Sequence, residues 1–304
     1  MTLRRDFLAG LWRVCDPKVT LASAAGLLVG HAAAAHDGPL SWGWVGPVVF
    51  GIFLAEAAKN ASGELYDWDS GVDQAVAPED RSPFSGGKRV LVDGLWDRRD
   101  AVWAAAGLWA AAVVCGLAIS ALRDGRVLAL ALAGGGLAFF YHAPPFKLCY
   151  RGWGEAAVAL CYGPLIGGGA YLVQRGEFPL RVAALLAPLG LLIAGFLVAN
   201  EFPDYRADSS GGKRNLVVLM GRARAVGLYF GLSAAAAAGA LLLPAFGWPP
   251  GVRTAAVAFV PGVWASRWMA AAPEDTPRVV AGQVAALTAF LLHAALLSAA
   301  LLFA

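Results

Sequence analysis

Nine apolar runs constrain this chain more than any other feature; they fall near residues 19–35, 45–62, 101–121, 127–143, 154–174, 181–200, 225–246, 254–272 and 280–303. About 20 apolar residues carry a helix across the hydrocarbon core of a bilayer, and lipid leaves backbone groups no partner outside their own helix. The fourth run is short and the eighth is weak. Charged residues make up 15% of the chain, against roughly 25% in soluble domains. Hydrophobic residues reach 59% and the mean hydropathy is +0.60. The expectation is an all-α, polytopic membrane protein, a single domain over residues 1–304, with about nine transmembrane helices around a central cavity.

Loop charges orient it. With the N-terminus inside, 18 of the 24 Lys and Arg lie on inner segments and 5 on outer loops, while Lys59 lies within a run. That bias places the N-terminus in the cytoplasm of a multi-pass cell-membrane protein. Topology accounts for the basic residues, and no basic patch with its own fold points to nucleic acid. The stretch from Met1 to Arg13 lacks the uninterrupted apolar core of a signal peptide and reads as an amphipathic lead-in. Cys15, Cys115, Cys149 and Cys161 are scattered and read as small apolar residues. The four histidines show no zinc-binding spacing.

The polar signal lies at the inner ends of two runs. After residue 199 come Asn200, Glu201, Asp204 and Asp208, then Ser210-Gly211-Gly212-Lys213-Arg214. Asn200, Asp204 and Asp208 are spaced i, i+4, so a helix stacks them on one face. Upstream, Asn60, Glu64, Asp67 and Gly71 follow a helical face, and Ser85-Gly86-Gly87-Lys88-Arg89 repeats the second basic loop letter for letter. Carboxylates at this density, next to lipid, need a cation. Hard oxygen ligands suit Mg²⁺, which commonly bridges to substrate phosphates. Glu64, Asp67, Asp204 and Asp208 are the candidate metal ligands, with Asp67, Asp204 and Asp208 also catalytic. Lys88, Arg89, Arg151, Lys213 and Arg214 are candidates for a diphosphate. The two acidic ends are expected to face each other across one cavity.

The loop from Asp73 to Asp100 exceeds the usual 12–15 residues and suits a mobile lid. Pro203 is expected to open the helix carrying the second motif, and Pro164 with Gly167 to Gly169 to break the fifth run. Phe139 to Lys147 and Tyr150 to Glu155 read either as interfacial belt aromatics or as the wall of an acceptor pocket. Arg151 and Glu155 are close enough in sequence to pair. The last three runs look like scaffold.

These residues resemble the UbiA superfamily of intramembrane prenyltransferases, and among its branches the 1,4-dihydroxy-2-naphthoate polyprenyltransferases of menaquinone synthesis. The resemblance lies in Asn60 through Asp73, Ser85-Gly86-Gly87, Tyr150 through Glu155 with Tyr162-Gly163-Pro164, and Asn200 through Leu216. It implies nine helices, a Mg²⁺-held isoprenyl diphosphate donor, and an aromatic acceptor at Asn60, Tyr141, Tyr150 and Asn200. The first motif departs from the family's Asn-Asp-x-x-Asp, since Gly63 and Glu64 stand in the first two places. The second departs at Glu201. Other acceptors (another quinone precursor, a tetrapyrrole, a lipid alcohol) stay open, as do a transporter with a carboxylate cation site and a non-catalytic scaffold.

Overall fold

The computed structural model describes residues 5–304, without the side chains of Arg5, Pro17, Lys18 and Val19; Met1 to Arg4 and the charges of Arg5 and Lys18 lie outside the described residues. Among the described residues the chain is helical, with no strand. Two helices, α1 (Arg5–Cys15) and α2 (Pro17–His36), precede the long α3 (Trp42–Ser70) and the single turn α4 (Val72–Ala75). Then come α5 (Arg98–Leu122), α6 (Val127–Phe140), α7 (Gly154–Leu160), α8 (Ile166–Arg175) and α9 (Leu180–Ser210). The series ends with α10 (Leu216–Met220), α11 (Arg222–Leu242), α12 (Phe259–Ala271) and α13 (Thr276–Leu302).

Five segments are long and apolar enough to cross a bilayer, Arg98–Leu122, Gly154–Arg175, Leu180–Ser210, Arg222–Phe246 and Thr276–Leu302; the bent pair Asp6–Cys15 and Thr20–His36 makes a sixth. The expected count of nine is not reproduced by this criterion. The shortfall has a physical cause in each of the three remaining runs. The C-terminal half of α3 carries Glu56, Lys59, Glu64, Asp67 and Asp69. Helix α6 has 14 residues, about 21 Å at 1.5 Å per residue. Helix α12 has 13 and is entered through the tighter 3₁₀ stretch Pro250–Ala258.

The central element is α9, whose apolar window is 72% buried, against 17% for α5. Trp103, Val113, Val114, Leu117 and Leu122 of α5 are all at least half exposed, a surface suited to lipid rather than water. The main core joins α2, α9, α11 and α13. Small residues bring helices into backbone contact: a methyl on Gly190 of α9 would overlap the Ala159 carbonyl of α7.

Neither proline interrupts its helix as expected. Helix α9 runs through Pro203 to Ser210. Pro203 cannot donate to the carbonyl four residues back, which is Ala199; the buried side chain of Gln283 on α13 donates to it instead, at 3.4 Å. Around Pro164 the chain widens into a π turn, Cys161–Leu165, and continues into α8. The loop after α4 is also not free. Phe84 packs edge-on against Phe196 of α9 at 5.7 Å, Arg206 pairs with Asp80 at 3.6 Å, and Asp80 accepts from Thr276 at 3.5 Å. The mobile lid is therefore a pinned strap, because buried partners offset the entropy of ordering it.

Candidate active site

The C-terminal ends of α3 and α9 come together around Lys213. Asp67 stands on the last turns of α3 and Asp208 on the last turn of α9, both buried. Lys213 lies between them, its Nζ 3.3 Å from Asp67 Oδ2 and 3.8 Å from Asp208 Oδ1. Burial works against its charge, but Asp208 and then Asp67 outweigh that and hold the ammonium's pKa well above its ordinary value. Two further groups fix the carboxylates. Tyr150 donates its hydroxyl to Asp67 Oδ1 at 2.7 Å. Asn215, the N-cap of α10, donates Nδ2 to Asp208 Oδ2 at 2.7 Å, while its Oδ1 accepts the Val218 N–H at 2.9 Å. The Tyr150 ring also faces Lys213, 5.8 Å from its centroid.

Glu64 takes a different part from the metal ligand expected of it. Its Oε1 accepts the N–H of Lys88 at 2.9 Å, and its Oε2 accepts those of Val90 at 2.7 Å and Leu91 at 3.4 Å. Both oxygens hold the strap down, because glutamate's extra methylene lets the carboxylate reach the loop backbone. Asn60 likewise turns away from an acceptor: its Nδ2 donates to the Val14 carbonyl of α1 at 2.9 Å. Lys88 pairs with Asp16, and Arg89 with Asp93 at 3.3 Å. Arg151 and Arg214 are exposed. Glu155 accepts the Leu216 N–H at 2.7 Å, which takes the place of the expected pair with Arg151. Tyr141 lies deeper, with Lys59 over its ring at 5.4 Å. Asn200 lies on α9 with a buried, unpartnered Oδ1.

Two residues of the site escaped sequence reasoning. His142 reaches to 3.9 Å of Asp67, and a Cβ on Gly63 would fall 2.9 Å from its ring, so the glycine makes room for the imidazole. The pairing of an anomalous glycine with a histidine 79 positions on has no signature in a single sequence. Asn215 was legible as a helix cap directly after the basic loop.

Among the described residues no three acidic, histidine or cysteine side chains converge as a formed metal cluster. The donor chemistry nevertheless fits a hard cation. Asp204 Oδ1, Asn200 Oδ1 and Glu201 Oε2 are buried oxygens without a hydrogen-bond partner, and Asp208 Oδ1 has only its 3.8 Å ion pair with Lys213; such atoms are costly unless something positive meets them.

The profile of the UbiA prenyltransferase family matches residues 23–280. A 1,4-dihydroxy-2-naphthoate octaprenyltransferase of Bacillus subtilis is 23% identical over 218 residues, covering 72% of this chain and 68% of that protein. A 2-carboxy-1,4-naphthoquinone phytyltransferase of Synechocystis is 28% identical over 219 residues, covering 69% and 66%. The chain thus spans about two thirds of each relative's length. Among solved structures, a UbiA homolog from Archaeoglobus fulgidus bound to GPP and Mg²⁺ superposes with a TM-score of 0.66 at 17% identity, over 95% of this chain and 99% of that one. That identity speaks for the fold, and the profile match, covering most of the chain, makes this protein a member of the UbiA prenyltransferase family, enzymes that transfer alkyl groups larger than methyl.

Proposed function

We propose that the protein transfers a polyprenyl group from an isoprenyl diphosphate to an aromatic acceptor in the cell membrane, with its N-terminus and active site on the cytoplasmic side. The favoured acceptor is 1,4-dihydroxy-2-naphthoate, on the way to menaquinone. The observation that carries this reading is Lys213 held between Asp67 and Asp208, beside the unpartnered oxygen of Asp204. An array of carboxylates enclosing one ammonium is built to receive an anion through cations.

Asp67, Asp204 and Asp208 would hold Mg²⁺, which when bound supplies positive charge to the departing diphosphate. Lys213 adds a fixed positive charge at the same end. Tyr150 and Asn215 keep the Asp67 and Asp208 carboxylates oriented. Arg214 and Arg151, exposed at the inner rim, are placed to meet the diphosphate as it enters. The prenyl tail lies among apolar helices, where each buried CH₂ contributes about 0.8 kcal/mol. The pinned strap covers the acidic end and limits the access of water to an allylic cation. The decisive assay uses purified protein, Mg²⁺, labelled polyprenyl diphosphates and a panel of aromatic acceptors. Prenylated product that disappears in EDTA is expected; no product with any donor and acceptor overturns the proposal.

A further inference from the structure

Lys59 is a half-buried lysine that, among the described residues, forms no ion pair. It stands on α3 eight residues before Asp67, about 12 Å along the helix axis at 1.5 Å per residue. It lines a cavity of about 320 Å³ whose wall is mostly apolar, drawn from α2, α3, α5, α6, α7 and α8. That volume lies at the lower end of the roughly 300–1,000 Å³ typical of small-molecule sites. Glu56, one turn earlier on α3 and on the same cavity wall, acts on Lys59 through space without forming an ion pair. The Glu56 carboxylate accepts Ser23 Oγ at 2.7 Å and the Tyr162 hydroxyl at 3.2 Å. Among the described residues no carboxylate comes within the 4.0 Å of an ion pair to Lys59. Its ammonium sits over the Tyr141 ring instead, a contact that offsets part of the cost of a cation in low dielectric. Charges inside a membrane protein face a partner or a ligand, and here the ammonium has an aromatic face but no ion-paired carboxylate.

We propose that Lys59 seats the anionic group of the acceptor, so that the chamber takes an aromatic acid in preference to a neutral ring. This rests on the reading of the chain as a prenyltransferase. Tyr141 and Trp109 both line the cavity and offer ring faces and edges beside Lys59. Trp109 is held in place, its Nε1 donating to Ser62 Oγ at 2.9 Å and its ring edge-on to Phe139 at 5.8 Å. The prenyl tail alone carries no charge and would leave Lys59 unpaired.

The test is equilibrium dialysis of the full chain in phosphatidylcholine nanodiscs against 1-hydroxy-2-naphthoate and against 1-naphthol. Lys59→Met removes the charge at similar volume, and Lys59→Arg restores it. Naphthoate binding should weaken about tenfold or more in Lys59→Met and recover in Lys59→Arg, the loss expected for one charge-assisted contact. Naphthol should bind all three alike. Naphthoate that fails to bind the wild type, or binds Lys59→Met equally well, overturns the proposal. If Lys59→Met loses geranyl diphosphate with Mg²⁺ as well as naphthoate, the Arg variant decides: recovered naphthoate binding upholds the seat, and its absence overturns it. Naphthoate displaced when phosphatidate is added to the discs would make Lys59 a lipid-phosphate seat, which also overturns it. Lys59-dependent naphthoate binding without any prenyl transfer defeats the enzyme reading alone. Transfer with an unchanged acceptor KM in Lys59→Met defeats the seat alone.

Discussion

Ser85-Gly86-Gly87-Lys88-Arg89 and Ser210-Gly211-Gly212-Lys213-Arg214 are the same five letters, and the fold uses them for different ends. Their second glycines agree, with φ of +73° at Gly87 and +74° at Gly212. Their first glycines do not: Gly86 has φ +87° and Gly211 has φ −84°. From that divergence the lysines part. Lys213 enters the acidic centre between Asp67 and Asp208, whereas Lys88 leaves it for Asp16. The first loop contributes its backbone, with the N–H groups of Lys88 and Val90 held by Glu64. The second contributes its cation. The repeated motif thus shares one left-handed glycine and little more of its conformation, and the tether at each end decides which atoms reach the site.

The strongest way to break this contrast is at the lysines. Lys213→Ala leaves two buried carboxylates without their cation, and breaking such a pair costs about 3–5 kcal/mol. Thermal melts should read that cost, and prenyl transfer should fall roughly ten- to hundredfold, the loss of one charge-assisted contact of about 1.5–3 kcal/mol. Activity within a few fold of wild type would remove Lys213 from the centre of the site.

The second glycines sharpen the contrast, because their backbones match and their surroundings do not. An alanine Cβ at Gly87 would lie 2.5 Å from Asp73 Oδ1, while at Gly212 nothing lies within 4 Å. Gly212→Ala should cost the left-handed strain alone, about 1–2 kcal/mol, and Gly87→Ala visibly more. Thermal melts in detergent would read the difference; equal shifts would mean the strap is not pressed against Asp73.

Asp73 offers a pH test of the same contact. Burial, followed by the charges of Asp67 and Glu64, pushes its carboxyl up to about 8. The folded protein holds this proton more tightly than the unfolded chain, whose ordinary value is 3.8, so the contribution is present at low pH and lost as pH rises from 3.8 to about 8. Asp73→Asn should flatten that part of the melting-temperature profile, and an unchanged slope would dismiss the assignment. Lys88→Ala should have the smallest effect. Its pair with Asp16 is partly exposed, and such pairs contribute about 0–1 kcal/mol. A loss comparable with Lys213→Ala would show that the first loop also delivers its cation.

What the sequence by itself determined is local. Run length and low charge dictate helices in lipid, and a spacing of four places Asn200, Asp204 and Asp208 along one face of α9, because helical periodicity depends only on neighbouring residues. The tertiary structure decided what each polar residue meets. Asn60 and Glu64 share a helix face with Asp67 in any reading of the sequence, yet they hold α1 and the strap, and Asp67 alone of the three faces Lys213. Pro203 reads as a helix breaker until Gln283, 80 residues away, supplies the missing donor. His142 beside Asp67 and Lys59 in its cavity are invisible to spacing for the same reason. A side chain's electrostatic partner is set by which helices lie against it, and those contacts join residues far apart in the chain, where no periodicity reaches.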